Sequence, residues 1–214
     1  MHDSRVAARR ARSTLRTFRT LFDDDARVAL DTSLQVYAAR LGQVRDLQVL
    51  GEVLGESPAG DLSSWMTSQV QRELAAGWQQ LERELGATDH RQLTEQLAVV
   101  LLTPVGRTDV NKMVHRAAAT AERRLARAGD DADRLHTARK AAKRARYAAE
   151  ATGHDKRART FKALQDVLGR HHDLVVAADW VVAAQVPPEL RSEASALVER
   201  LHADAARARS KAVL

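Results

Sequence analysis

The sequence lacks cysteine altogether and has few of the residues that mark turns and sheets. Its 214 residues include no Cys, 4 Pro, 10 Gly, 3 Trp, 2 Tyr and 3 Phe. Without thiols there is no disulfide framework, thiolate zinc site or cysteine nucleophile, which excludes a disulfide-rich secreted scaffold and a zinc finger. Scarce Gly, Pro and aromatic residues beside abundant Ala, Leu and Arg favour helices over sheets. The composition predicts an all-α protein with one large domain or two smaller ones.

The chain also lacks a long apolar run. The longest, 97–102, is far shorter than the roughly 20 residues that span a bilayer, and the N-terminal segment is charged, so we expect a cytoplasmic protein. The net charge of +6 is unevenly distributed. Residues 1–20 hold six Arg and one acid, 134–146 hold six Lys or Arg and no acid, and 50–104 hold three Arg and eight acids. Positive charge is therefore concentrated in two places.

Hydrophobic periodicity and breaks predict about eight helices. We expect them at about 3–22, 23–54, 62–85, 89–102, 109–128, 134–152, 156–185 and 188–210, with a linker at 103–106. The sequence therefore predicts one domain over 1–214, made of a first helical half, 1–103, and a second helical half, 107–214.

An internal repeat relates the two halves. His2-x-x-Arg5-x-x-x-Arg9-Arg10-x-Arg12 matches His136-x-x-Arg139-x-x-x-Lys143-Arg144-x-Arg146, and a Leu-Gly-x-x-x-Asp-Leu element follows in each half, at 41–47 and 168–174. Two elements that recur in the same order predict duplicated, pseudo-symmetric antiparallel helical bundles.

The first repeat forms a cationic helix face. At about 100° per residue, one arc of the helix holds His2, Arg5, Arg9, Arg12, Arg16 and Arg19, while apolar residues such as Phe18 occupy the opposite side. A solvated polar face is the alternative, but such faces interleave acids, and none lies between Arg5 and Arg19. Like-charge neighbours cost about 0.2–0.5 kcal/mol each, so an anionic ligand or protein carboxylates should offset them. The face spans roughly 21 Å, which suits a linear polyanion. In the second repeat, Glu150 replaces the cation that Arg16 supplies in the first.

The doubled basic element, each copy followed by its Leu-Gly-x-x-x-Asp helix, resembles the conserved histidine α-helical domain (CHAD) family over nearly the whole chain. The resemblance implies two helical bundles around a basic channel that binds inorganic polyphosphate, with association to polyphosphate granules. It further implies that this channel is lined by Arg5, Arg9, Arg10, Arg12, Arg139, Lys140, Lys143, Arg144 and Arg146, and that His2 and His136 are the histidines of the family name. We add Arg16, Arg45, Lys162 and His172 to the predicted polyphosphate-binding set.

The first half departs from the family pattern. The resemblance implies a helix before the first basic element, equivalent to 109–128 in the second half, but this sequence starts at that element. We therefore expect the first bundle to lack this helix. The resulting apolar groove could take a partner helix or a second copy of the chain.

The remaining candidate residues predict no catalysis. Asp46 and Asp173 are interpreted as structural residues that orient basic side chains. We predict no metal site, because no histidine pair has a diagnostic spacing and arginine disfavours a divalent cation. No phosphate-binding loop motif is present, so we predict a non-enzymatic protein without a cofactor. Two alternatives stay open, namely nucleic-acid binding through the same arginine faces and an accessory role for a polyphosphate or triphosphate enzyme.

Overall fold

The protein is helical throughout its described length. The computed structural model describes residues 2–103, 106, 109–129 and 131–212, apart from the side chains of residues 2 and 87–89. Within these ranges there are eight α-helices, two short 3-10 turns and no strand, which confirms the predicted fold class. The α-helices are α1 (His2–Thr17), α2 (Asp24–Leu54), α3 (Asp61–Glu84), α4 (Ala87–Leu102), α5 (Val110–Ala126), α6 (Ala132–Ala151), α7 (Asp155–Ala183) and α8 (Arg191–Arg209). The 3-10 turns are Arg19–Leu21 and Pro188–Leu190. No described helix has the length and apolar character that membrane crossing requires.

The chain packs into two compact units. The first unit comprises Met1–Gly42 and Leu81–Ala163, and the second comprises Gln43–Gln80 and Leu164–Leu214. Each unit draws on both sequence halves, because the long helices α2 and α7 each contribute residues to both units. The division into helical halves at 103–107 stays a prediction about the repeat.

Aspartates begin three helices of the first unit. The side chain of Asp23 accepts the backbone N–H of Ala26 at 2.9 Å at the start of α2. Asp109 and Asp131 do the same at the starts of α5 and α6, with distances of 3.0 and 2.9 Å. Each carboxylate satisfies an otherwise unpaired N–H and complements the positive end of the helix dipole. The predicted helix start at the Asp23–Asp25 cluster is confirmed.

The first helix ends earlier than the sequence predicts. It was expected to reach residue 22, but α1 stops at Thr17, and the N–H of Leu21 then bonds the carbonyl of Phe18 in a 3-10 turn. Phe18 is buried beside Val114 of α5. Burying this ring turns the chain after Thr17, so Arg19 leaves the straight cationic face on which the sequence places it.

Alanines position α6 in the first unit. Ala138, Ala142, Ala145 and Ala149 recur at helical spacing and are almost inaccessible to solvent. The small side chains allow close packing, and α6 contacts both α1 and α5. Because the alanines occupy the packed face, the lysines and arginines of α6 lie on its other faces.

The second unit has an aliphatic core built from four helices. Its buried residues come from the end of α2, from α3, from the later part of α7 and from α8, and include Leu50, Met66, Leu174 and Leu197. Trp65 and Trp180 pack beside this core with ring centroids 6.5 Å apart.

Candidate anion-binding site

Asp31 of α2 holds two of the predicted cations of α1. One carboxylate oxygen accepts a hydrogen bond from Arg12 Nε at 3.0 Å, and the other accepts one from Arg16 Nη2 at 2.8 Å. Arg12 also donates to Gln35 Oε1 at 2.8 Å. Burial raises the pKa of Asp31, but the hydrogen bonds and charges of Arg16 and Arg12 outweigh burial, so this pKa lies below its usual value. Asp31 therefore stays ionised and ties the cationic helix to α2.

Glu150 of α6 holds a second pair of cations. It accepts a hydrogen bond from Arg146 Nε at 2.7 Å and forms an ion pair with Arg10 Nη2 at 3.2 Å. The guanidinium carbons of Arg10 and Arg146 also lie 5.7 and 5.5 Å from the ring centroid of buried Tyr147. Carboxylate and aromatic ring together connect α1 to α6. Glu150, which interrupts the second basic face, thus bonds a basic residue on each of the two helices.

A cation-lined cavity lies in the first unit, among the end of α1, the turn that follows it, α5 and α6. Its volume is about 270 Å³. Three threonines, Met113 and two alanines form part of the lining, and none of the described residues that line it is acidic. The remaining lining residues are six cations, Arg16, Arg19, Arg116, Arg124, Lys140 and Arg144, which we call the cavity cations.

The cavity cations differ from the cations held by Asp31 and Glu150. Arg16 donates to Asp31, but none of the other five forms an ion pair with a described carboxylate. All six side chains are exposed. Partial burial, together with the charges of Arg16 and Arg124, lowers the pKa of Arg144, and the charge of Asp31 opposes this only in part. The arrangement concentrates positive charge that the described protein does not neutralise.

The sequence missed the part of the cavity that α5 contributes. Arg116, Thr120 and Arg124 are spaced at i, i+4 and i+8, so they share one face of that helix. That spacing is present in the sequence, but α5 does not carry the repeated motif from which the binding set is predicted. Arg19 was placed on the cationic face but left out of the predicted binding set.

The predicted binding residues are not all in one place. Arg16, Lys140 and Arg144 line the cavity, whereas the rest of the set lies outside its lining. Arg5 and Arg9 lie further back along α1, and Arg139 and Lys143 lie on α6, all four half-buried. The side chain of His2 falls outside the described residues.

Other predicted residues lie on α2, α6 and α7. Arg45 is in the second unit, where Nη1 donates to Glu52 Oε1 at 2.8 Å, and His172 is in that unit on α7. Lys162 is exposed on α7 in the first unit. Asp46 and Asp173 both belong to the second unit, so their orienting role stays a prediction.

His136 is exposed on α6, one turn from Lys140. Partial burial, followed by the charges of Lys140 and Arg139, lowers its pKa below the usual value for histidine, and the charge of Asp133 opposes the shift. His136 therefore experiences the positive potential of the basic helix face.

Fold and site together define an all-helical module with a cation-lined cavity. The family model of the CHAD domain matches residues 1–182, so the chain belongs to the CHAD family, as the repeated motif had indicated. A solved structure of the CHAD domain from the plant Ricinus communis is 26% identical, with a TM-score of 0.71 over 96% of this chain and 76% of that one. PptA from Streptomyces chartreusis shares the fold at 17% identity, with a TM-score of 0.73 over 97% of this chain and 84% of that one.

Two curated relatives are similar in sequence. The uncharacterized proteins Rv2226 and MT2285, from two Mycobacterium tuberculosis strains (H37Rv and CDC 1551), are each 26% identical in an alignment 214 positions long that covers 90% of this chain. The match covers 42% of each relative, so this chain spans less than half of their length.

Proposed function

We propose that this chain is a non-enzymatic module that binds inorganic polyphosphate, with the cavity cations forming the central part of its site. The observation that carries the proposal is a single cavity whose described lining has six cations and no carboxylate. Membership of the CHAD family supports phosphate chains as the ligand, because the repeated basic motif resembles the polyphosphate-binding element of that family.

The chemistry of the cavity cations suits phosphate. Five of the six are arginines, whose planar guanidinium can donate two parallel hydrogen bonds to one phosphate group. Phosphate oxygens would also give five of these side chains the negatively charged partner that no described carboxylate provides. Because binding of this kind is largely electrostatic, we expect affinity to fall steeply as salt is raised.

The cavity supports binding rather than hydrolysis. Phosphoryl transfer to water needs a group that positions or activates the water, and usually metal ions held by carboxylates. Among the residues that the structure describes, the lining includes neither a histidine nor a carboxylate. We therefore expect the purified protein to release no phosphate from polyphosphate, and steady release that co-purifies with the wild-type protein but not with a cavity variant would overturn the non-enzymatic assignment.

The experiment is calorimetry with medium-chain polyphosphate over a salt series, with duplex DNA and RNA as competitors. Arg124→Gln removes a cavity cation. Arg123→Gln is the matched control, because Arg123 is the adjacent residue on α5, is exposed and lies outside the cavity lining. A third variant, Arg5→Glu with Arg9→Glu and Arg139→Glu, tests the predicted cations outside the cavity.

Binding that Arg124→Gln weakens, that Arg123→Gln preserves and that nucleic acid does not displace is the expected result. Equal or tighter binding of nucleic acid would reduce the site to a general polyanion surface. No binding of polyphosphate by the wild-type protein would reject the proposed function.

In cells, the same function predicts association with polyphosphate granules. The longer relatives leave room for an accessory role beside other domains, which we propose as the setting of this module. A fluorescent fusion of the chain is expected to co-localise with granules, and the Arg124→Gln version is expected to be more diffuse. Equal localisation of the two versions would count against a granule role for the cavity.

A further inference from the structure

The cavity is small and strongly cationic, and these two properties limit which part of a phosphate chain it can hold. Its 270 Å³ volume is slightly below the roughly 300–1,000 Å³ typical of small-molecule pockets. The cations reach it from three sides, namely the end of α1 with its following turn, α5 and α6. A site with charge on several sides suits a compact ligand group of high charge better than an extended segment with charges in a line.

The two parts of a phosphate chain differ in charge. A terminal phosphate resembles a phosphomonoester, with about −1.5 to −2 charge at pH 7 and three acceptor oxygens, whereas an interior phosphate carries a single charge and two free oxygens. Because Coulomb attraction scales with ligand charge, clustered cations discriminate in favour of the terminal group.

The rest of α1 offers a path away from the cavity. Arg5 and Arg9 lie on the same helix as Arg16, and 11 residues separate Arg5 from Arg16, a distance of about 16 Å along the helix axis. Interior phosphates could follow this face in single file, where each meets fewer cations than the cavity presents.

We propose that the cavity is a chain-end site, in which a terminal phosphate of a linear oligo- or polyphosphate is bound by the cavity cations. This inference rests on the proposed function and specifies the ligand group at the same site. It predicts that free chain ends, and not phosphate content alone, determine affinity.

The test compares ligands that differ in their ends. Linear triphosphate is compared with cyclic trimetaphosphate, which has no terminal phosphate, and medium-chain polyphosphate is compared with the same chain after both ends are capped as esters. Calorimetry of each ligand at one salt concentration uses the wild-type protein, Arg124→Gln and the matched control Arg123→Gln. Thermal unfolding without ligand checks that all three proteins are folded.

We expect the wild-type protein and Arg123→Gln to bind linear triphosphate at least tenfold more tightly than the cyclic form, and to lose at least tenfold in affinity when the long chain is capped. Arg124→Gln should reduce both differences to less than about threefold. Equal binding of capped and uncapped chains, or equal behaviour of the two variants, would overturn the chain-end site. In those cases uncapped polyphosphate still binds, so the proposed function stands, whereas the absence of any polyphosphate binding rejects both.

Discussion

Arginines of the neighbouring helices α1, α5 and α6 have two different environments in this protein. Arg10, Arg12 and Arg146 are held by the carboxylates of Glu150 and Asp31, whereas Arg124 and Arg144 line the cavity without an ion pair to a described residue. The chemical groups are identical, so the difference lies in whether a carboxylate of a neighbouring helix reaches them. Arginines held by protein carboxylates stabilise the helix packing, and arginines without them keep their hydrogen-bonding capacity for a ligand.

The largest effect should come from removing cavity cations, which have no described carboxylate partner, rather than cations that Glu150 holds. We expect Arg116→Gln with Arg144→Gln to weaken polyphosphate binding about 100-fold, because each lost contact contributes on the order of 1.4 kcal/mol to binding. Arg10→Gln with Arg146→Gln removes the same charge, but these side chains already bond Glu150. Calorimetry should show less than about a fivefold loss for this second pair, and equal losses would mean that the two environments do not separate structure from binding.

Removing the charge of Asp31 tests the same comparison through the carboxylate instead of through the arginines. Asp31→Asn keeps the shape of the side chain but loses the charge that holds Arg12 and Arg16. Since Asp31 is only 16% exposed, we expect the free energy of unfolding in urea to fall by about 2–3 kcal/mol. Glu52→Gln is the control, because Glu52 is 62% exposed in its pair with Arg45 and should contribute less than about 1 kcal/mol.

The pH dependence of Asp31→Asn gives a second readout. The pKa of Asp31 is lowered in the folded protein, so its contribution to stability is present above the usual aspartate pKa and is lost as pH falls through the lower folded value. Acid should therefore destabilise the wild-type protein more than Asp31→Asn. Parallel curves of unfolding free energy against pH would contradict the assigned role of Asp31.

A smaller effect of opposite sign is expected at the cavity. Arg144 lies near the charges of Arg16 and Arg124, which with partial burial lower its pKa. Arg144→Gln should therefore stabilise the ligand-free protein, by less than about 0.5 kcal/mol because solvent screens the charge of this exposed side chain, while it weakens polyphosphate binding. Arg134→Gln, on the same helix but paired with Asp131, should give no such gain. A destabilised Arg144→Gln protein would show that this arginine is structural.

Much of this arrangement was visible in the sequence. Helical periodicity and capping aspartates located the helices, and the repeated motif led to Arg16, Lys140 and Arg144, which do line the cavity. The partners were not visible, because Asp31 and Glu150 lie on other helices, and nothing in a local pattern shows which carboxylate reaches which arginine. The early end of α1 was missed for a similar reason, since it depends on where Phe18 is buried.

The smallest expected effect is at His136, which senses the cationic face without lining the cavity. Partial burial, then the charges of Lys140 and Arg139, lower its pKa. A bound polyanion would offset those charges, so polyphosphate should raise the pKa of His136 in an NMR titration. Without ligand, a lowered folded pKa means that the unfolded chain binds more protons, so stability is fully present above the usual histidine pKa and declines as pH falls through it. His136→Gln should decline less over that range. If saturating polyphosphate leaves the His136 titration unchanged, the bound chain lies away from this face of α6. The cavity variants would then show whether binding is confined to the face of α6 that lines the cavity.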